Sequence, residues 1–179
     1  MVVAAVCVVV LLFTAVAVRQ FVVQPFRVPS ASMEPALRAG DVILADRAGH
    51  GSAQRGDLVV FDGAGYFAPS GSGSGRYWVK RVVAVGGERV TCCTDAGAIT
   101  VDGEVLEEPY LAPGTEPSTI EFDLRVPEGR MFVLGDNRGD STDSRSMLGA
   151  PGGGMVPVDR VVGTVDTIVW PLTRAGAVR

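Results

Sequence analysis

The stretch 76–85 (RYWVKRVVAV) constrains the fold of this chain more than any other part of the sequence. It is aromatic and β-branched, which favours a strand, and it ends at the turn-forming pair Gly86-Gly87. The other apolar runs are mostly short, and the 179 residues include 23 glycines and 11 prolines that favour turns between them. The sequence therefore predicts a mainly β fold built from short antiparallel strands.

Two Gly-Asp turn signals begin at Gly40 and Gly56, sixteen residues apart, and each precedes an apolar run. This repeat predicts two successive strands of an antiparallel meander. A hairpin-type signal at Asp102 lies within residues 88–130, which we interpret as a smaller β region. Further strands are predicted at 21–28 (interrupted at Pro25), 131–134 and 161–170, with a flexible Gly/Ser-rich loop at 62–75.

Residues 2–18 are apolar apart from Thr14. As a helix they would span about 26 Å, near the lower limit for crossing the hydrocarbon core of a bilayer. Three interpretations remain: a membrane anchor, a secretory signal with a small-x-small sequence at its end, and a buried core helix. We favour an anchor over residues 1–20, because no basic region precedes the run, followed by one domain over residues 21–179. The single charge of Arg19 would place that domain in the cytoplasm.

Composition narrows the class of partner. The formal net charge of −4 disfavours a nucleic-acid partner. His50 is the only histidine, and it forms no set with zinc-ligand spacing together with Cys7, Cys92 and Cys93. The adjacent Cys92 and Cys93 have three open states: a disulfide with each other, two thiols, or a bond to another molecule.

Three aspartates follow the apolar run 131–134, at Asp136, Asp140 and Asp143. They lack the spacing and terminal glutamate of a calcium-binding EF-hand, and no Asp-Thr/Ser-Gly sequence of an aspartic protease occurs. Asp143 and Arg145 are instead spaced for a structural ion pair. We therefore expect no metal ion and no cofactor.

The stretch 28–35 (VPSASMEP) places Ser30 and Ser32 two residues apart between two prolines. Proline stiffens the backbone, so we expect the two serines in an extended or turning segment and not in a helix. Residues i and i+2 of an extended chain point to the same side, which suits a nucleophile and a helper. Read alone, the same pattern is also typical of an ordinary loop.

A serine hydroxyl becomes a nucleophile only when a base removes its proton. His50 lies in a small-residue loop, where a solvated histidine is the favoured interpretation. Lys80 lies within the apolar strand 76–85, on the same face as Trp78. Burial there would lower the pKa of Lys80 and allow the neutral amine to accept a proton. The alternative is an edge-strand lysine that discourages aggregation.

Four stretches occur in a characteristic order: 29–35 (PSASMEP), 56–60 (GDLVV), 78–83 (WVKRVV) and 135–145, which begins with GDNR and ends with DSR. Together with the N-terminal apolar run, they resemble the sequence boxes of bacterial type I signal peptidases over nearly the whole chain. The resemblance implies a mainly β fold with an antiparallel β-sheet catalytic core of the signal-peptidase type. A smaller inserted β region at about 88–130 and a preceding transmembrane helix complete the implied architecture.

The resemblance also implies a Ser/Lys endopeptidase. Ser32 matches the nucleophile and Lys80 matches the general base. The lysine marks the bacterial type, because relatives of the endoplasmic-reticulum complex carry histidine at this position. Ser30 matches the serine whose hydroxyl joins the Ser32 backbone N–H in an oxyanion hole. Ser141 matches the serine that hydrogen-bonds the lysine and orients it.

Supporting and substrate-binding residues follow from the same resemblance. Asp143 and Arg145 match a bracing pair near the site. The positions that line the family's shallow pockets for small side chains at P1 and P3 are Phe26, Val28, Pro29, Met33, Leu37, Trp78 and Val79. The sequence departs from the family pattern at Ala36, Trp78 and Gly139-Asp140. None of these departures removes a catalytic group.

The implied function is a membrane-bound serine endopeptidase that removes signal peptides from secreted preproteins after small-x-small (Ala-x-Ala) motifs. The family resemblance implies a single-pass anchor in the bacterial cytoplasmic membrane and a catalytic domain on its extracytoplasmic face. The single charge of Arg19 indicates the opposite orientation, but only weakly. The expected partners are preproteins and the lipid bilayer. One alternative is a Ser/Lys self-cleaving repressor, which the apolar N-terminus disfavours. The other is a catalytically silent anchored β domain that binds exported chains. The presence of both Ser32 and Lys80 disfavours this second alternative.

Overall fold

A computed structural model describes residues 22–67, 75–150 and 152–178, together with Cys7 and Val10, which are helical. The predicted anchor over residues 1–20 therefore lies almost entirely outside the described residues, as does half of the predicted loop at 62–75. The described part of the chain contains no helix that is both long enough and apolar enough to cross a membrane.

The described residues form a mainly β structure with twelve strands and three short 3-10 helices, as the sequence predicted. The strands are β1 (Val23–Arg27), β2 (Val42–Asp46), β3 (Leu58–Asp62), β4 (Tyr77–Val85), β5 (Arg89–Cys92), β6 (Thr100–Val101), β7 (Glu104–Val105), β8 (Phe122–Arg125), β9 (Arg130–Leu134), β10 (Val156–Pro157), β11 (Val161–Trp170) and β12 (Gly176–Ala177). The 3-10 helices cover Arg47–Gly49, Ser144–Met147 and Val158–Arg160.

Two antiparallel sheets contain these strands. The large sheet has the order β1-β2-β11-β3-β4-β9-β10, and β12 pairs with the second half of β11. The small sheet has the order β7-β6-β5-β8 and comes from the stretch between β4 and β9. At the end of β5, Cys92 and Cys93 are joined by a disulfide. The small sheet packs on the large one through a shared apolar cluster that includes Val90, Phe122 and Phe132.

The predicted meander of the two Gly-Asp units is wrong, because β2 and β3 are not neighbours. The ten-residue strand β11 lies between them and pairs antiparallel with both. Val165 of β11 stands opposite Ala45 of β2, while Thr164 stands opposite Val59 of β3. A strand from the far end of the chain thus separates two strands that are close in sequence.

The predicted interruption at Pro25 is also wrong. Strand β1 continues through Pro25, which stands opposite Leu44 of β2. Proline lacks the N–H that a central strand needs for its second neighbour, but β1 is an edge strand of the large sheet and needs only one. The edge position therefore explains why the strand tolerates Pro25.

Candidate active site

A tight turn after β1 carries the two serines. The backbone N–H of Glu34 donates to the Ala31 carbonyl (3.0 Å), and that of Leu37 donates to the Met33 carbonyl (2.9 Å). Met33 and Leu37 are fully buried in the apolar cluster beneath the turn, so the core fixes its position. Of the two predicted conformations, turning and extended, the structure has the turn at Ser32.

Ser32 and Lys80 are in direct contact although they lie 48 residues apart in the sequence. The Nζ of Lys80 donates a hydrogen bond of 2.6 Å to the Oγ of Ser32. Lys80 lies in the middle of β4, opposite Val59 of β3, and is only 1% exposed. The hydroxyl of Ser30 donates to the same Ser32 Oγ at 3.3 Å. The structure thus brings the predicted nucleophile, base and helper hydroxyl to one place.

The surroundings of Lys80 lower its pKa. Burial of the amine lowers the pKa of Lys80 from its ordinary 10.5 to about 8. The carboxylates of Asp143 and Asp136 act in the opposite direction and raise the pKa, whereas the guanidinium of Arg145 lowers it further. Desolvation is the largest of these effects, because a charged amine loses its hydration inside an apolar strand. A buried lysine of this kind can serve as a proton acceptor near neutral pH.

The loop after β9 closes the site from the other side. A side chain at Gly135 would overlap the Ser141 hydroxyl and come within 2.5 Å of the Ser32 carbonyl oxygen, so only glycine fits between the two serines. Ser141 Oγ is buried and finds no hydrogen-bond partner within the described residues. The predicted hydrogen bond from Ser141 to Lys80 is therefore not formed in this structure.

Asp143 and Arg145 form a buried, two-bonded ion pair in the same loop. The distances are 2.9 Å from Arg145 Nε to Asp143 Oδ1 and 2.7 Å from Arg145 Nη2 to Asp143 Oδ2. Asp143 also accepts from the backbone N–H of Gly135 at 3.1 Å, and Arg145 donates to the Arg138 carbonyl at 2.9 Å. The pair thus connects both ends of the loop that packs against Ser32.

Asn137 is a contact residue that our sequence reasoning missed. Its backbone N–H donates to the Ser32 carbonyl (3.1 Å), and its side-chain Nδ2 donates to the Ala31 carbonyl (3.2 Å). Asn137 lies in the GDNR motif that supported the family resemblance, but nothing in its residue type indicated these partners. Two hydrogen bonds from one residue therefore hold the backbone at the candidate nucleophile.

A second group of contacts that the sequence did not reveal lies behind the loop. Arg81 forms a two-bonded ion pair with Asp136, at 2.8 Å and 2.7 Å, and its guanidinium stacks 3.9 Å from the centre of the Tyr110 ring. Arg138 is ion-paired with Glu108 and also donates to the Gly135 carbonyl at 3.0 Å. The connection between β7 and β8 is thereby bonded to the loop after β9. Asp136 and Asp143 are therefore both ion-paired with arginines.

A cleft of about 440 Å³ opens at the two serines, between β1 and the start of β4. Of the seven predicted substrate-binding residues, five line this cleft: Phe26, Val28, Pro29, Trp78 and Val79. Met33 and Leu37 do not line it, because both are fully buried below the turn. The prediction missed Ile43, Val60 and Tyr77, which add apolar surface to the cleft. His50 is exposed between β2 and β3 and does not line the cleft.

Comparison with known proteins gives a consistent result. A family model described as signal peptidase, peptidase S26, matches residues 1–170. Signal peptidase I of Mycobacterium tuberculosis is 39% identical over 203 positions, covering 89% of this chain and 69% of that protein. Signal peptidase I T of Bacillus subtilis is 30% identical over 174 positions, covering 92% of this chain and 82% of that protein.

Among solved structures, a signal peptidase I from Enterococcus faecalis matches with a TM-score of 0.47 and 27% identity, covering 63% of this chain and 96% of that chain. The family match and the identities of the relatives confirm the resemblance that the sequence boxes indicated. This chain belongs to the signal peptidase family, peptidase S26, a family of serine endopeptidases.

Proposed function

We propose that this chain removes N-terminal signal peptides from secreted preproteins by cutting after small-x-small motifs with a Ser32/Lys80 dyad. The observation that carries the proposal is the 2.6 Å hydrogen bond between Lys80 Nζ and Ser32 Oγ at a buried lysine. The relatives named signal peptidase I and signal peptidase I T support the class of substrate. We further propose that the catalytic domain works on the extracytoplasmic face of the bacterial cytoplasmic membrane, where exported chains emerge.

In the proposed reaction, neutral Lys80 accepts the proton of the Ser32 hydroxyl while Ser32 Oγ attacks the carbonyl carbon of the scissile peptide bond. The carbonyl oxygen becomes an oxyanion, which the Ser30 hydroxyl and the Ser32 backbone N–H stabilise. No hydrogen bond among the described residues uses that N–H, so it is available to the substrate. Lys80 then gives its proton to the leaving amine, and an ester of Ser32 remains.

Hydrolysis of the ester repeats these steps with water. Lys80 accepts a proton from the water, whose oxygen attacks the ester carbonyl carbon and again produces an oxyanion. Collapse of this intermediate releases the carboxylate end of the signal peptide and returns the proton to Ser32 Oγ. The enzyme is then restored with no change in its own atoms.

The strand pattern supports an extended substrate in the cleft. Strand β4 pairs with β3 from Tyr77 onward, but its pairing with β9 begins only at Arg81. Among the described residues, the start of β4 therefore has one unpaired edge, and the edge strand β1 has another. Both strands line the cleft, so a peptide that enters it can add backbone hydrogen bonds to an exposed strand edge. Apolar walls would then accommodate small side chains.

The rate of cleavage should rise with pH up to about pH 8. Only neutral Lys80 can accept the serine proton, and the pKa of Lys80 is lowered to about 8 by burial. Below that pH, kcat/KM should fall roughly tenfold for each pH unit, and above it the rate should level off. Steady-state cleavage of a synthetic signal-peptide substrate across this range provides the measurement.

Lys80 is the only lysine in the sequence, which allows a direct check of this pKa. Isotopic methylation of amines labels one ε-amine, that of Lys80. Its titration by NMR should give the same pKa as the pH dependence of kcat/KM. Circular dichroism over the same range controls for unfolding. A rate that stays flat or falls as pH rises toward 8, or an amine that titrates near 10.5, would contradict the role of Lys80 as base.

Ser30→Ala should lower kcat by roughly 10²–10³-fold with little change in KM, because one oxyanion donor is lost while the substrate contacts remain. Ser30→Thr keeps a hydroxyl and is the matched control, for which we expect most of the activity to remain. Steady-state kinetics on the same peptide separate the two constants. An unchanged kcat in Ser30→Ala would remove Ser30 from the oxyanion hole.

A further inference from the structure

A second groove, of about 390 Å³, adjoins the turn that carries Ser32. Its walls include Glu34 and Arg38, which follow Ser32 in the sequence, and Asp136 and Asn137 from the loop after β9. Thr115, from the connection between β7 and β8, also lines it. The groove is thus formed by three segments that the structure brings together next to the proposed nucleophile.

Neighbouring residues of the turn at Ser32 line the two cavities. Ser30 and Ser32 line the first cleft, whereas the chain that follows them lines the second groove. Asn137 lines the second groove and donates its backbone N–H to the Ser32 carbonyl at 3.1 Å. An extended chain advances about 3.3 Å per residue, so a peptide bound across Ser32 needs only a few residues to reach into both cavities.

The chemistry of the two cavities differs. The first cleft is lined mainly by apolar side chains, with Arg27 and Arg76 also in its walls. The second groove has two acidic, one basic and two uncharged polar side chains. The charge of Asp136 is balanced by its two-bonded contact with Arg81. The side chains of Glu34 and Arg38 have no ion-pair partner within the described residues, and Arg38 is exposed. Both charges are therefore available to a bound peptide.

Building on the proposed function, we infer that the second groove binds the first residues after the scissile bond, and that Arg38 and Glu34 select those residues by charge. Arg38 favours an acidic substrate side chain in the groove, and Glu34 favours a basic one. The part of the substrate before the scissile bond is recognised by apolar contact, and the part after it by charge. The occupant of the groove is thus the polar start of the mature chain.

Synthetic peptides that differ in one residue after the scissile bond provide the test. Aspartate or lysine is placed in turn at each of the first few positions, and the Asp/Lys ratio of kcat/KM is measured for each enzyme. Arg38→Gln should lower this ratio at one or more positions, and Glu34→Gln should raise it. Because an ion pair in the groove would be exposed, we expect the Asp/Lys ratio to change by roughly two- to fivefold. This change should become smaller as salt is added.

Arg125→Gln is the matched control, because it removes the same charge from the small sheet, away from both cavities. Its Asp/Lys ratios should equal those of the wild type. If the wild type cleaves the peptides but neither Arg38→Gln nor Glu34→Gln changes a ratio, the inference is overturned and the proposed function stands. If the wild type cleaves none of them while correctly folded, the proposed function and the inference both fail.

Discussion

Lys80→Met should abolish cleavage of a preprotein, lowering kcat/KM by about 10⁴-fold or more, while the protein stays folded. Methionine has nearly the shape of lysine but cannot accept a proton, so Ser32 would keep its proton and remain a poor nucleophile. Ser32→Ala should cause a loss of the same size. Because the two residues act as one unit, the double variant should lose no more than either single variant.

The free energy of unfolding distinguishes a catalytic role of Lys80 from a structural one. Lys80 is only 1% exposed, and an amine in such a place costs free energy because it loses its hydration. Lys80→Met removes that cost, so its free energy of unfolding should equal or exceed that of the wild type in a urea titration. Full activity in either single variant would contradict the dyad. A large loss of stability in Lys80→Met would instead indicate that the lysine supports the fold.

Gly135→Ala is expected to have the second largest effect. The added methyl group would overlap the Ser141 hydroxyl and lie 2.5 Å from the Ser32 carbonyl oxygen. The backbone at Ser32 must then shift, and a displacement of about 1 Å at a reacting group can cost about 10²-fold in rate. We therefore expect kcat to fall by roughly that factor or more. Cleavage kinetics, with circular dichroism to confirm the fold, provide the measurement.

Gly139→Ala is the matched control for this prediction. Gly139 lies in the same loop, but a methyl group there would meet no atom within 4 Å, and its backbone does not require glycine. Its activity should stay close to that of the wild type. If both variants had equal activity, the tight contact at Gly135 would have no role in placing Ser32.

The sequence predicted the residues whose chemistry is unusual for their surroundings. Lys80 stood out because it interrupts an apolar strand, and it is also the only lysine in the sequence. Ser30 and Ser32 stood out because two prolines enclose them. The mainly β fold followed from short apolar runs between turns, since the features that decide it are local in sequence.

Apart from the Ser32–Lys80 pair, which the family resemblance implied, contacts between distant segments could not be predicted from local sequence patterns. The place of β11 between β2 and β3 depends on pairing across about a hundred residues, which local patterns do not record. Glu108 reads as an ordinary surface acid until the fold brings it against Arg138, 30 residues away. Asn137 likewise gained its partners only through the fold. Single residue types indicated candidate chemistry, but the supporting contacts required the structure.

The ion pairs described around the loop after β9 use arginine as their cation: Arg81 with Asp136, Arg138 with Glu108, and Arg145 with Asp143. An arginine side chain stays protonated far above the pH at which a buried lysine becomes neutral. Alkaline solution can therefore remove the charge of Lys80 without weakening the pairs that hold its surroundings. Such a site combines a titrating base with permanently charged ion pairs, so the loop should keep its contacts at the pH at which Lys80 becomes neutral.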